Sequence, residues 1–272
     1  TLTVTNAAVE AHGGETGNGS YGVYAEELIV TKGTLIAFGG KAEYDSYGIY
    51  ANDALTVEDA AVEAIGGEAQ KDSSCGIYAY GTLTVTDATL NAFGDQANYS
   101  YGIFVDGGLT TTDATVMAFG SEAGFCSYGI YTYNALTVGG GTLKAYGSEA
   151  NDSYGIYTHG GLTFNAAMAE ASGYTRALNL VPTLNLYDPA PDVTVNADPS
   201  ADGAGEWDGS TPLGGEDSDY KYVKISPASS AVKEYPVWVQ GVQVTEDNKD
   251  DVLGDKTETK PASVAYDPTT GT

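Results

Sequence analysis

The sequence predicts an all-β protein: a right-handed, single-stranded parallel β-helix of about seven coils, with three short strands per coil and an irregular C-terminal β extension. Three observations predict it. A Leu opening a β-like stretch recurs at Leu2, Leu28, Leu55, Leu83, Leu109, Leu136 and Leu162, in steps of 26, 27, 28, 26, 27 and 26 residues. Within each unit, apolar residues alternate with period two and never with a helical period. Gly, Asp and Asn punctuate the stretches. Such a unit cannot bury its apolar side alone, whereas stacked units share one continuous core. Strand spacing then sets a rise of about 4.8 Å per coil and a rod of roughly 34 Å.

The first strand of each unit carries Leu and Val two apart, as in Leu55 and Val57. The second carries Val or Leu followed two later by Ala, at Val9 and Ala11, Leu35 and Ala37, Val62 and Ala64, Leu90 and Ala92, Val116 and Ala118, and Leu143 and Ala145. The third carries Val23, Ile49, Ile77, Ile103, Ile130 and Ile156. These rows are expected to point inward. Two glycine rows do not vary between copies. Gly13, Gly39, Gly66, Gly94, Gly120 and Gly147 follow the second strand, where a sharp corner asks for positive φ. Gly22, Gly48, Gly76, Gly102, Gly129 and Gly155 lie inside the third strand, where Gly signals a bend or a close backbone approach. Asn6, Asp59, Asp87 and Asp113 occupy the turn after the first strand and suit it by bonding their own backbone. The row Glu10, Ile36, Glu63, Asn91, Met117, Lys144 never stacks two carboxylates, so like charges are kept apart.

If the Ile row points in, the next residue points out. Tyr24, Tyr50, Tyr78, Phe104, Tyr131 and Tyr157 are then expected to form a flat external strip about 24 Å long. The apolar faces of sugar rings lie on such strips, and a patch of this length marks an interaction site; mutual stacking that merely shields the sheet is the other reading. A second row, Tyr21, Tyr47, Tyr101, Tyr128 and Tyr154, shares parity with the Ile row and is expected in the core or at a corner. Outward Thr at Thr3, Thr56, Thr84, Thr110, Thr137 and Thr163 resembles an ice-binding array, but Ile29 interrupts it and Thr is an ordinary choice on a half-exposed strand.

Thirty-seven acidic residues against 11 basic ones leave a net charge of −26, which argues against nucleic acid as a partner. No apolar run is long enough for membrane insertion and no signal peptide is visible; the start at Thr1 reads as a fragment or a mature product. Cys75 and Cys126 fall two coils apart, about 9.6 Å, beyond disulfide reach, so both are expected to be free, with Cys126 in a loop. Catalysis has little to work with. Arg176 is the single Arg, and His12 and His159 are roughly 24 Å or more apart on this plan, each expected at a corner or loop. Loop acids such as Glu43, Asp45, Asp72, Asp95 and Asp152 are too abundant to single out a hydrolytic pair. Oxygen-rich loops and the stacked Asp59, Asp87 and Asp113 are candidate Ca²⁺ ligands; a solvated acidic edge and a plain turn are the alternatives. No other cofactor is expected.

Residues 1–197 carry the repeats and final coils, 198–232 a cap and linker with one strand at 220–226, and 235–272 a β-rich segment. The SYGIY-bearing coils, with the tail YPVWVQGVQVTEDNKDDVLGD and VAYDPTTGT, resemble the tandem repeat modules of large secreted surface proteins of gut-dwelling Gram-positive bacteria. Their β-helices are similar to the pectate-lyase-like superfamily and to carbohydrate-binding β-helix domains. The resemblance implies an adhesin-like extracellular module, a following module led by 235–272, and a polysaccharide or cell-surface glycan as partner. It supplies no catalytic residue. The reading is a non-catalytic glycan-binding module; the alternatives are a pure spacer in a surface stalk and, behind it, a polysaccharide lyase or hydrolase. An uncapped first coil, Leu2 to Thr5, is expected to be an open edge that either packs head to tail or is covered by the 235–272 tail of a neighbouring molecule.

Overall fold

Every coil places equivalent residues directly over one another. In the computed structural model, Leu2 pairs with Leu28, Leu28 with Leu55, Leu55 with Leu83, and so on to Leu162 with Leu184, all in parallel ladders without slippage. The structure describes residues 1–165, 167–180, 184–186, 193–200, 207, 212–214, 218–227, 234–239 and 242–245. No helix occurs among them.

Three parallel sheets result. The first runs from Leu2–Thr5 through Leu28–Thr31 and onward to Leu184–Leu186. The second runs from Ala8–His12 to Met168–Ser172, and the third from Ser20–Ala25 to Arg176–Leu180. The second sheet then changes sense, because Tyr222–Pro227 pairs antiparallel with Met168–Ser172, and Val193–Asp198 follows beyond it. Thr1–Ser226 form one compact unit and Pro227–Thr272 a second, in which Glu234–Val239 and Val242–Thr245 make an antiparallel pair. The remainder of the 235–272 segment lies outside the described residues.

The expected inward rows form the core. Leu28, Leu55, Leu83, Leu109, Leu136 and Leu162 are fully buried, as are Leu35, Leu90, Leu143 and the five Ile from Ile49 to Ile156. Each such side chain contributes roughly 1.5–3 kcal/mol of apolar burial. At the first coil the same positions are open: Leu2 and Val9 are 42% and 37% exposed. At the other end Leu213, Tyr220, Val223 and Ile225 join the core, so the stretch after the repeats packs onto the last coil.

The two glycine rows both mark close approach. Among the described glycines positive φ is confined to Gly140, Gly141 and Gly161, so the corner row from Gly13 to Gly147 does not adopt the left-handed backbone expected of it. Space excludes a side chain there: a Cβ on Gly39 would stand 2.9 Å from both the Gly67 nitrogen and the Tyr47 oxygen. In the third strand a Cβ on Gly48 would lie 2.5 Å from the Ile65 nitrogen and 2.8 Å from the Gly76 oxygen. The left-handed positions are instead Asn6, Lys32, Asp59, Asp87 and Asp113, with φ of 49, 53, 47, 48 and 48°, and Gly140 at 75°.

A buried serine column that sequence reading passed over stitches successive coils together. Ser20, Ser46, Ser74, Ser100, Ser127 and Ser153 are buried, and each Oγ accepts an amide from the next coil. The donors are the amides of Gly40, Gly67, Asp95, Ser121, Ser148 and Tyr174, at 2.8–2.9 Å. Ser46 also donates to the Gly40 carbonyl at 2.7 Å. Its invariance in six copies of S-x-G was the available signal.

Ser46→Ala is expected to cost about 1–3 kcal/mol, because an amide and a carbonyl lose their shared partner in a buried corner. Gly48→Ala should cost at least as much through backbone displacement, whereas Gly14→Ala, which has nothing within 4 Å of a new Cβ, should stay within about 0.5 kcal/mol of the parent. Urea unfolding of the three variants measures this.

Candidate functional site

The outer side of the third sheet carries the aromatic residues. Tyr24, Tyr50, Tyr78, Phe104, Tyr131 and Tyr157 lie in register, one per coil, as the spacing predicts. Their rings do not lie flat against the sheet. Neighbouring centroids are 5.2, 5.1, 4.7, 4.9 and 5.0 Å apart, with planes parallel to within 5, 5, 4, 9 and 15°. Coplanar rings side by side cannot approach so closely, so the column is offset-stacked like roof tiles. Part of each face is covered by the next ring. The exposed surface consists of ring edges, phenol hydroxyls and the open face of Tyr24, which is 59% exposed.

The second tyrosine row corrects the sequence reading. Tyr47, Tyr128 and Tyr154 are buried, yet they lie outside the core cluster of the coils. They pack against the outer column, Tyr47 on Tyr50 at 5.2 Å and 64°, Tyr154 on Tyr157 at 5.3 Å and 82°. Parity fails because the ladder passes from the Tyr47–Cys75 pair to the Ile49–Ile77 pair across the bend at Gly48. Residues three apart thereby share the outer side. Cys75 takes the ring's place in this row between Tyr47 and Tyr101.

Burial governs the ionisation of this layer. It pushes the Tyr50 phenol up to about 12, aided by Tyr80, Tyr21 and Tyr24. Tyr47, Tyr78, Tyr101, Tyr128 and Tyr131 are raised further, burial again leading in each. These phenols are neutral hydrogen-bonding groups at any physiological pH. Tyr131 meets His159 through its hydroxyl, 3.1 Å from Nε2. Both cysteines are free, and burial pushes the Cys75 thiol well up, making it a poor nucleophile. Cys126 belongs to the strand Ala123–Thr132 rather than a loop, because the third strand starts early in that coil.

The acidic candidates fall into two settings. Asp59, Asp87 and Asp113 line a groove of about 720 Å³ along the turn after the first strand, together with Asn6 and Lys32. Their left-handed backbone accounts for the residue type, since Asn and Asp tolerate that region best after Gly. Among the described residues no three His, Cys, Asp or Glu converge on a common point. On the loop edge, Lys41 pairs with Glu68 at 2.9 Å and Lys71 pairs with Glu43. Asp45 is half-buried, accepts the Ser73 amide at 3.2 Å and has its carboxyl raised by burial. The two histidines are far apart in the fold. His12 ends the second-sheet strand Ala8–His12, stacked on Phe38 at 4.7 Å, while His159 follows the third strand of the sixth coil. His12 therefore sits in a strand and not at a corner.

No protein-family model, no curated protein and no solved structure matches this chain. The site is accordingly read from its own geometry.

The raised phenols carry a pH consequence. Below about pH 10 the folded and unfolded chains are both protonated at tyrosine; above it the unfolded chain loses protons that the folded chain keeps, so stability falls with rising pH. For Tyr50 the loss runs from about 10, the unfolded value, to about 12. Tyrosinate absorbance of the native protein should lag behind that of the urea-unfolded protein throughout this window, and the urea midpoint should drop across it.

Proposed function

We propose that the chain is a non-catalytic module of an extracellular surface protein, a rigid β-helix that presents its outer aromatic side to a neutral glycan. The observation that carries this reading is the unbroken column of six rings on one side of a rod whose coils cannot slide past one another. Stacking leaves ring edges and neutral hydroxyls outward, so the ligand contact is a line of apolar edges and phenol hydrogen bonds, with one full face at Tyr24. An apolar yet hydrogen-bonding line suits an uncharged carbohydrate, and a net charge of −26 disfavours an anionic one unless Ca²⁺ bridges the two.

The second reading is a spacer without a ligand of its own. It is favoured by the ring faces being turned on one another, which uses much of the aromatic surface for rigidity.

On a glycan array with and without Ca²⁺, the parent chain should be retained by a neutral polysaccharide. Tyr24→Ala, which leaves the rest of the column intact, should weaken retention severalfold, and the combined Tyr50→Ala, Tyr78→Ala and Tyr131→Ala variant should abolish it. Absence of retention under every condition would leave the spacer reading.

A further inference from the structure

The position two residues after each central ring forms its own outward column: Glu26, Asn52, Tyr80, Asp106, Tyr133 and His159. Backbone hydrogen bonds fix its register, since the amides of Tyr80, Asp106 and Tyr133 donate to Ala51, Ala79 and Val105, each the last residue of the third strand one coil back. Where this column carries rings, they stack. Tyr133 and His159 are parallel to within 10° at 5.2 Å, and Tyr80 and Tyr133 each lean on the central stack at 5.2 Å, at 70 and 80°. The fourth coil carries Asp106 between the ring-bearing third and fifth coils, and Phe104 supplies the only central ring without a hydroxyl.

The result is a notch one coil high, walled by Tyr80 and Tyr133, which are 48% and 47% exposed. Asp106, half-buried, occupies the tier between them, and Phe104 is the central ring of the same coil. Asn134 donates to the Asp106 backbone oxygen at 3.3 Å and not to its carboxylate. Among the described residues no lysine, arginine or histidine pairs with that carboxylate. A planar group in the Asp106 tier would stand about 5 Å from each flanking ring, inside the roughly 6 Å over which a cation is attracted to an aromatic face.

We infer that the notch formed by Tyr80, Asp106 and Tyr133 receives the guanidinium of an arginine on a basic partner polypeptide. Guanidinium is flat enough for a one-ring gap and always charged, and unlike imidazolium it presents forked N–H groups that match a carboxylate two at a time. Lysine, a compact and strongly hydrated point charge, fills neither requirement. The charge of −26 draws basic partners toward this surface. The chain's single arginine, Arg176, is engaged with Tyr154, so the guanidinium comes from another molecule. This inference does not rest on glycan binding, and a chain that ignores every sugar would still have the notch.

The test is an NMR titration of the full chain with Nα-acetyl-arginine amide and with its uncharged, equally flat counterpart Nα-acetyl-citrulline amide. Arginine should bind at least about tenfold more tightly, with shifts centred on Tyr80, Phe104 and Tyr133 and with affinity falling as salt rises. Asp106→Asn should reduce arginine binding to the citrulline level, and Tyr80→Asn should weaken it at least severalfold. Both changes place in the column a residue that the fold already accommodates there at Asn52, and thermal melting checks that each variant is folded. Equal binding of arginine and citrulline by the parent chain overturns the inference without recourse to any variant. So does arginine affinity unchanged in folded Asp106→Asn, or tighter binding of choline than of arginine, which would mean a round cavity and not a flat slot.

Discussion

In-register pairing of parallel strands, at about 4.8 Å per coil, is the constraint from which the rest of this molecule follows. It turns one residue position into a column, so a choice made once per repeat is made along the whole rod. Leu at the head of the first strand becomes a continuous buried spine, and Ser before the third strand becomes a ladder that ties each coil to the next. The same rule multiplies errors. A like charge repeated at one position would be stacked at close range. The outward row of the second sheet accordingly sets Glu63 against Ile36 and Asn91, and Lys144 beside Glu170 at 3.7 Å.

The aromatic side shows what this constraint does to surface chemistry. A ring is wider than the rise between coils, so six rings in one column cannot all lie flat, and offset stacking is the available solution. Stacking stiffens the rod and raises the phenol pKa values, but it withdraws ring faces from any ligand. Contact with a carbohydrate would then be made by edges and hydroxyls. In the neighbouring outward column, where Asp106 separates Tyr80 from Tyr133, the two rings are about half exposed.

The serine ladder and the close-packed glycines explain why the motif S-Y-G tolerates so little change. Ser needs to reach a buried amide, Tyr to cover the bend, and Gly to let the bend touch the next coil. Cys75 can replace Tyr because a smaller buried group creates no clash in this row.

Much of this could be read before any coordinates. Period-two alternation with a spacing of 26 to 28 residues determined the sheets, their register, the inward rows and the free cysteines, because side-chain direction and coil rise are both set by the backbone. The left-handed turns were half legible: Asn6 and the Asp residues pointed to a turn, while Lys32 in the same conformation carried no such signal. Three features were decided only by the tertiary structure. Ring orientation depended on how an aromatic width fits a fixed rise, the placement of Tyr47 and its equivalents on a bend that shifts parity by one residue, and the serine bonds on which amide of the next coil lies within 3 Å. Each is a distance between coils, and a linear sequence states which residues will be neighbours without stating how their side chains share the space between them.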